Sequence, residues 1–197
     1  MNNEINDPIL PEPKTEAAKQ ARKNFERQLK EQERQEQQIA FSILIWGMSP
    51  EKNDPIVKKR KDIGTQLLED GHNAMFSEDL TNLSNDRDRS EKSNEFAQAN
   101  AADLVIILIE DSPSALAEAC DFCNHPDLAP KIYVMAPNSY KTGYAGQGAL
   151  QELDEGYGGV YWYQEGEVEA CHLLTQASKR VKARRSMAYR HKTRESN

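Results

Sequence analysis

An α/β fold, with a five-stranded parallel sheet covered by helices on both faces, is what the sequence predicts. Three observations lead there. Short apolar runs recur along the chain, "AFSILIWG" (40–47) and "LVIILI" (104–109) being the clearest. Their apolarity is continuous instead of alternating, which marks strands buried on both sides. Amphipathic stretches of helical spacing separate the runs, and strands alternating with helices pack as a parallel sheet between helical layers.

Each element follows in order. Residues 1–13 carry Pro8, Pro11 and Pro13 among polar neighbours and are expected to be disordered. Residues 14–39 form a helical arm, since Lys14 to Gln38 contain no glycine or proline and are dense in good helix formers. Its apolar stripe, Ala18, Ala21, Phe25 and Leu29, is too sparse for a heptad seam, so the arm packs lightly or awaits a partner. After the first strand, residues 54–71 place Ile56, Ile63, Leu67 and Leu68 at helical spacing and stop at Gly71. "HNAMFSED" (72–79) is a weaker second strand, and 86–101 is a polar helix leading to Asp103 and the third strand. "PSALAEACDFCN" (113–124) is helix, "KIYVMA" (131–136) strand, "GALQELDE" (148–155) short helix and "GVYWY" (159–163) the fifth strand. A final helix is expected over 165–185. The main domain is thus 40–182 and a basic tail occupies 183–197.

Composition narrows the function classes. With 197 residues and a net charge of -7, the chain has room for about one domain with extensions. No stretch approaches the roughly 20 apolar residues that span a bilayer, and the N-terminus lacks the regions of a signal peptide, so no membrane role and a cytoplasmic location are expected. Three cysteines make no disulfide framework, in keeping with a reducing compartment. The tail "SKRVKARRSMAYRHKTRESN" is basic, which leaves contact with nucleic acid open, but a solvated helix end whose cations suit the helix dipole is the reading preferred.

Five strands suggest the flavodoxin-like or Rossmann-like order 2-1-3-4-5, in which ligands bind beyond the carboxyl ends of strands 1 and 3. Those ends are "GMSP" (47–50) and "EDSPS" (110–114). Ser112 followed by Pro113 fits a helix cap with proline in the first turn, so backbone N–H groups should face the crevice and attract anions. Glu118 follows in the opening turns, off the Leu116, Ala119 and Cys123 stripe expected to pack on the sheet. A glutamate there also complements the helix dipole without doing chemistry, so position alone leaves both roles open. "CDFCNH", with Cys171 and His172, has metal-like spacing, but Cys120 and Cys123 lie inside a helix where small thiols pack. Neither a metal nor a cofactor is expected. "GYAGQG" (143–148) lacks the Lys-Ser/Thr of a phosphate loop and is taken as a lid or plain loop.

Four stretches together resemble the nucleoside 2-deoxyribosyltransferase superfamily, including its nucleotide N-glycosidase branch and its TIR-related fold. They are "IWGMSP" with the following "DGHNAMF", "EFAQANAAD" before "LVIILI", "DSPSALAEA", and "VYWYQEGEVEA". The likeness covers roughly two-thirds of the chain, and Ala115, Leu116 and Ala117 stand where such proteins usually place glycine. It implies an N-glycosidase or deoxyribosyltransferase acting on a nucleoside, a nucleotide or NAD, with Glu118 as nucleophile toward C1′. It implies that Glu95 orients a sugar hydroxyl or assists proton transfer. Asp111, Ser112 and Ser114 would bind substrate at the helix start, and Gly47, Met48 and Ser49 would line the pocket from strand 1. Trp46, beside "SILI", is read as core. By the same analogy the protein is an effector of bacterial antiviral defence that works as a homo-oligomer, with the arm free for a protein partner. A salvage or sanitation enzyme, or an inactive nucleotide-sensing or interaction module of the same fold, is the competing reading.

Overall fold

The computed structural model describes residues 12–81, 90–110 and 113–195. It divides into two compact units, residues 40–187 and a second made of 1–39 with 188–197. The expectation of disorder for the N-terminus lies almost wholly outside the described residues, as do Asp111 and Ser112.

The larger unit is the expected five-stranded, all-parallel sheet in the order 2-1-3-4-5. Its strands are β1 (Ser42–Trp46), β2 (Asn73–Phe76), β3 (Leu104–Leu108), β4 (Ile132–Pro137) and β5 (Val160–Tyr163). The helices are α1 (Glu16–Gln37) in the smaller unit, then α2 (Pro55–Glu69), α3 (Ser77–Thr81), α4 (Glu91–Ala101), α5 (Pro113–Cys123), α6 (Ala149–Tyr157) and α7 (His172–Glu195). Register pairs Ile45 with Phe76 on one side and Ile106 on the other, and Ile107 with Val134.

Alternate side chains of each strand leave on opposite faces, so continuous apolar runs build two cores. Leu44, Trp46, Val105, Ile107 and Val134 pack with Ala99 of α4, Ala119 and Phe122 of α5, and Leu150 and Leu153 of α6. Ile43, Ile45, Leu104, Ile106 and Met135 pack with Ile56, Ile63 and Leu67 of α2 and with Leu173, Ala177 and Val181 of α7. The sheet is therefore sandwiched between α4, α5 and α6 on one side and α2 and α7 on the other.

Asp54 caps α2 by accepting from the Ile56 N–H at 2.9 Å, with Pro55 in its first turn. Ser90 caps α4 through the Ser93 N–H. The final helix departs from expectation at both ends. Residues 165–170 form turns in which the Glu167 carboxylate accepts from the Gln164 N–H and the Tyr161 hydroxyl, so the helix starts at His172. It then continues without glycine or proline to Glu195, and most of the expected tail is helical. The short helix α3 directly after β2 is a further addition. Asp103, before β3, accepts from the Ser42 N–H at 2.8 Å and so fastens the start of β1.

His72 is buried, lies flat against Phe41 with ring centroids 5.7 Å apart, and accepts the Phe41 N–H on Nδ1 at 3.2 Å. Burial, then the Arg185 charge, lowers its proton affinity below the ordinary value near 6.5. The stability carried by neutral His72 is therefore present above pH 6.5 and lost as pH falls. Equilibrium denaturation at pH 7.5 and 5.5 should show a drop for the parent chain and a shallower one for His72→Asn.

In the smaller unit α1 buries none of its side chains, and Phe25 is 60% and Leu29 42% exposed. The Tyr189 hydroxyl donates to Gln35 Oε1 at 3.1 Å.

Candidate active site

At the carboxyl end of β1, where the winding of the sheet reverses between β1 and β3, a cleft of about 330 Å³ opens. Its walls carry Trp46, Gly47 and Ser49 from β1 and the turn after it, Glu78 from α3, Glu91, Asn94, Glu95 and Gln98 from α4, and Glu118 from α5. The two glutamates singled out in the sequence come from helices on opposite sides of β3 in the chain and meet here.

The local sequence explains how each arrives. In α5, Ala119 is fully buried while Leu116, Cys120 and Cys123 pack against the core, which leaves Glu118 on the neighbouring face of the helix. Glu118 is exposed as a residue and is among those that line the cleft. In α4, Ala99 is the buried anchor, and Glu91, Asn94, Glu95 and Gln98 fall on one face at spacings of three and four. Lys92 of α4 makes an ion pair with Asp121 of α5, tying the two flanking helices together outside the cleft.

The carboxyls differ in charge state. Burial, followed by repulsion from Glu118 and Glu91, pushes Glu95 up to about 6. Burial, then Glu91, also raises Glu118 above the usual glutamate value. Glu95 and Glu118 repel each other, which favours keeping a proton on the pair. Glu78 goes the other way: burial pushes it up, but hydrogen bonds from Arg60 override that and hold it below the glutamate range. One cleft thus holds a carboxylate kept charged and a carboxyl ready to carry a proton near neutrality.

A stability consequence follows from Glu95. Its folded value lies above its ordinary 4.5, so its favourable share is full below 4.5 and lost as pH rises through about 6. Glu95→Gln should stabilise the chain at pH 7.5 by about 1 kcal/mol, the shift being discounted by half for partial exposure. The gain should shrink at pH 4.5. Urea melts at both values check this, and an equal change at both would contradict it.

Gly47 sits at φ +156°, with the Leu108 carbonyl oxygen 3.0 Å from where a Cβ would stand, so a side chain there would force β1 and β3 apart. Met48 is not on the cleft wall; it packs against the core, and its carbonyl accepts from Arg60 at 3.1 Å. Ser114 belongs to α5, but its side chain is outside the described residues, as are Asp111 and Ser112. Trp46 is core, as expected, packing on Phe122 at 4.7 Å, yet it also reaches the cleft.

A larger hollow of about 870 Å³ lies over the ends of β4 and β5, lined by Asp54, Glu110, Ser139, Tyr163 and Glu169 among others. It contains neither Glu95 nor Glu118, and size alone does not outweigh convergent carboxyls with raised proton affinity. Burial raises both Cys120 and Cys123, the latter to about 12, which is the reverse of an activated thiol.

Residues 57–197 match the STM3845 retron effector protein family over more than two-thirds of the chain. The chain belongs to that family. Membership associates the chain with bacterial defence. The matched span begins inside α2 and carries Glu78, Glu91, Glu95 and Glu118, while β1 with Trp46, Gly47 and Ser49 precedes it. No curated protein matches the chain. Among the described residues, no helix is long and apolar enough to cross a membrane, and no group of three or more His, Cys, Asp or Glu is arranged to hold a metal ion.

Proposed function

We propose that this retron effector is an enzyme that cleaves the N-glycosidic bond of a nucleoside, a nucleotide or NAD, and that depletion of this metabolite is how it acts in antiviral defence. The observation that carries the reading is the convergence of Glu118 and Glu95, from separate helices, in one cleft at the switch point of the sheet.

The chemistry uses the two carboxyls in different states. Ionised Glu118 attacks C1′ through an oxygen as the C1′–N bond breaks, stabilising the oxocarbenium-like transition state. The bonding pair leaves with the base nitrogen; the base of a nucleoside or nucleotide takes a proton from Glu95 as it departs, whereas the nicotinamide of NAD leaves neutral and takes none. Water then adds to C1′, freeing the Glu118 carboxylate, and gives its proton to ionised Glu95. The elevated affinity of Glu95 for a proton, near pH 6, suits that exchange. Ser49, Asn94 and Gln98 supply neutral hydrogen-bonding groups beside it.

The test is incubation of the purified chain with ribo- and deoxyribonucleosides, their 5′-phosphates and NAD, with free base read by chromatography. Release of base from one class supports the proposal, and transfer instead of hydrolysis would appear when a second base is added. Ala115, Leu116 and Ala117, replacing the loop glycines, favour the second reading, an inactive sensing module; tight binding by calorimetry without product would select it. Self-association, and a retron component docking on the exposed Phe25 and Leu29 of α1, are the partner arrangements proposed. Light scattering of the chain alone and with the co-expressed retron distinguishes them.

A further inference from the structure

We infer that the Trp46 indole N–H and the Gln98 amide oxygen form a base-reading pair in the cleft, and that the base they select carries an amino group beside a ring nitrogen, as adenine and cytosine do. This deepens the proposed function and rests on it for the nucleoside class of the ligand.

Two residues that line the cleft each carry a polar atom without what its chemistry requires. Trp46 is 5% exposed, and its indole packs on Phe122 with ring centroids 4.7 Å apart, so the core holds it in place. Among the described residues, neither its Nε1 nor the Oε1 of Gln98 has a hydrogen-bond partner, although both atoms are buried. Unpaired buried donors and acceptors are costly, and finished structures keep few of them. The polarity of the pair is fixed. At its other end the Gln98 amide donates from Nε2 to the Ser77 carbonyl at 3.5 Å, and turning the amide over would set two oxygens against each other. Gln98 therefore presents an acceptor and asks for a donor. The indole nitrogen is a donor only, so it asks for an acceptor.

Position assigns the pair to the base. Gln98 follows Glu95 by one turn on the same face of α4, and Glu95 is the group that protonates the departing base in the proposed reaction. A base edge supplies a donor and an acceptor side by side in one of two polarities. An amino base presents NH2 as donor with a ring nitrogen as acceptor, whereas a keto base presents a carbonyl oxygen with a ring N–H. The charge of the cleft decides between them. Among the described residues it is lined by four glutamates and by no lysine or arginine, which favours the positive end of an amino group over the lone pairs of an exocyclic carbonyl. A base of the wrong polarity would also set oxygen against Oε1 and N–H against N–H, the repulsive half of the selection.

The experiment is calorimetric binding of adenosine, inosine, purine riboside, cytidine and uridine to the full chain and to its Gln98→Met and Trp46→Phe variants. The parent should bind adenosine at least about tenfold more tightly than inosine, or cytidine than uridine, and the pair that shows the preference tells a purine site from a pyrimidine site. In Gln98→Met the preference should fall below about threefold through weaker binding of the amino nucleoside, while purine riboside, which has no exocyclic group, binds as before. Trp46→Phe, which removes the N–H and keeps an aromatic ring, should lower the preference in the same direction. A general loss of structure would weaken all five ligands alike. Failure of all five to bind, equal or keto-favouring binding by the parent, or the full preference retained in either variant overturns the inference. A preference that the variants lose, without base release by the parent, would defeat the glycosidase proposal alone; base release with the preference intact in the variants would defeat this inference alone.

Discussion

Glu118→Gln is expected to release base at least about a thousandfold more slowly than the parent chain, with little change in KM. The amide has nearly the same size and keeps hydrogen bonding, so the cleft and its ligand contacts should survive. Two things are lost together. The covalent step disappears because an amide oxygen is a poor nucleophile toward an anomeric carbon, and the negative charge beside the developing oxocarbenium goes with it. Both act in the transition state, which places the loss in kcat. A secondary signature identifies the cause: without the Glu118 charge, Glu95 should ionise at lower pH, because Glu118 is the first charge raising it after burial. The residual activity should therefore lose its acid form earlier as pH rises. A rate within a few-fold of the parent would remove Glu118 from the chemistry, and equal slowing through a higher KM would reassign it to binding.

The sheet was legible because its strands are buried on both faces, so "SILIW" and "LVIIL" are apolar without interruption and nothing else in the chain competes for that pattern. Strand order then located the switch point, and with it Glu118. The residues around Glu118 were harder to see for reasons particular to each. Arg60 sits in "VKKRKD", which reads as a solvated charge run, yet it is almost fully buried, and Lys59 beside it is 7% exposed while donating to the Ala170 carbonyl at 2.8 Å. Only tertiary hydrogen bonds justify those burials, and a linear pattern carries no trace of a carbonyl 12 or 111 residues away. Glu78 was hidden by the assignment of 72–79 as strand, whereas the chain turns into α3 directly after Phe76. Glu91, Asn94, Glu95 and Gln98 left a readable signal, a polar face repeated every three or four residues, but the same repeat describes any solvated helix face. The start of α7 was misplaced because Glu165, Glu167 and Glu169 resemble an acidic first turn, while Glu167 is engaged by the Tyr161 hydroxyl at the end of β5.

Arg60→Met is expected to destabilise the larger unit by about 3–5 kcal/mol, read as a lower urea midpoint at unchanged slope. Methionine roughly matches the arginine stem in length, so packing contributes little to the loss, while the guanidinium's stacking over the Phe76 ring at 4.7 Å goes with the charge. Electrostatics contributes most of it. The substitution removes the Arg60 cation that helps hold Glu78 below the glutamate range, so the half-buried carboxylate loses that charge and two of its hydrogen bonds. It also strips a donor from the carbonyls of Ile45 and Met48, and an unsatisfied buried carbonyl costs about 1–3 kcal/mol. The pH dependence separates these parts. With its pair intact, Glu78 has a depressed folded value, so its stabilising share is present above the ordinary 4.5 and lost as pH falls. Arg60→Met should therefore cost most at neutral pH and less near pH 4, where the carboxyl deprived of Arg60 takes a proton. Adding Glu78→Gln to Arg60→Met should recover the carboxylate part and leave the carbonyl part, giving a non-additive cycle. A loss below 1 kcal/mol, or additive behaviour of the two substitutions, would mean that Arg60 and Glu78 do not act as one unit.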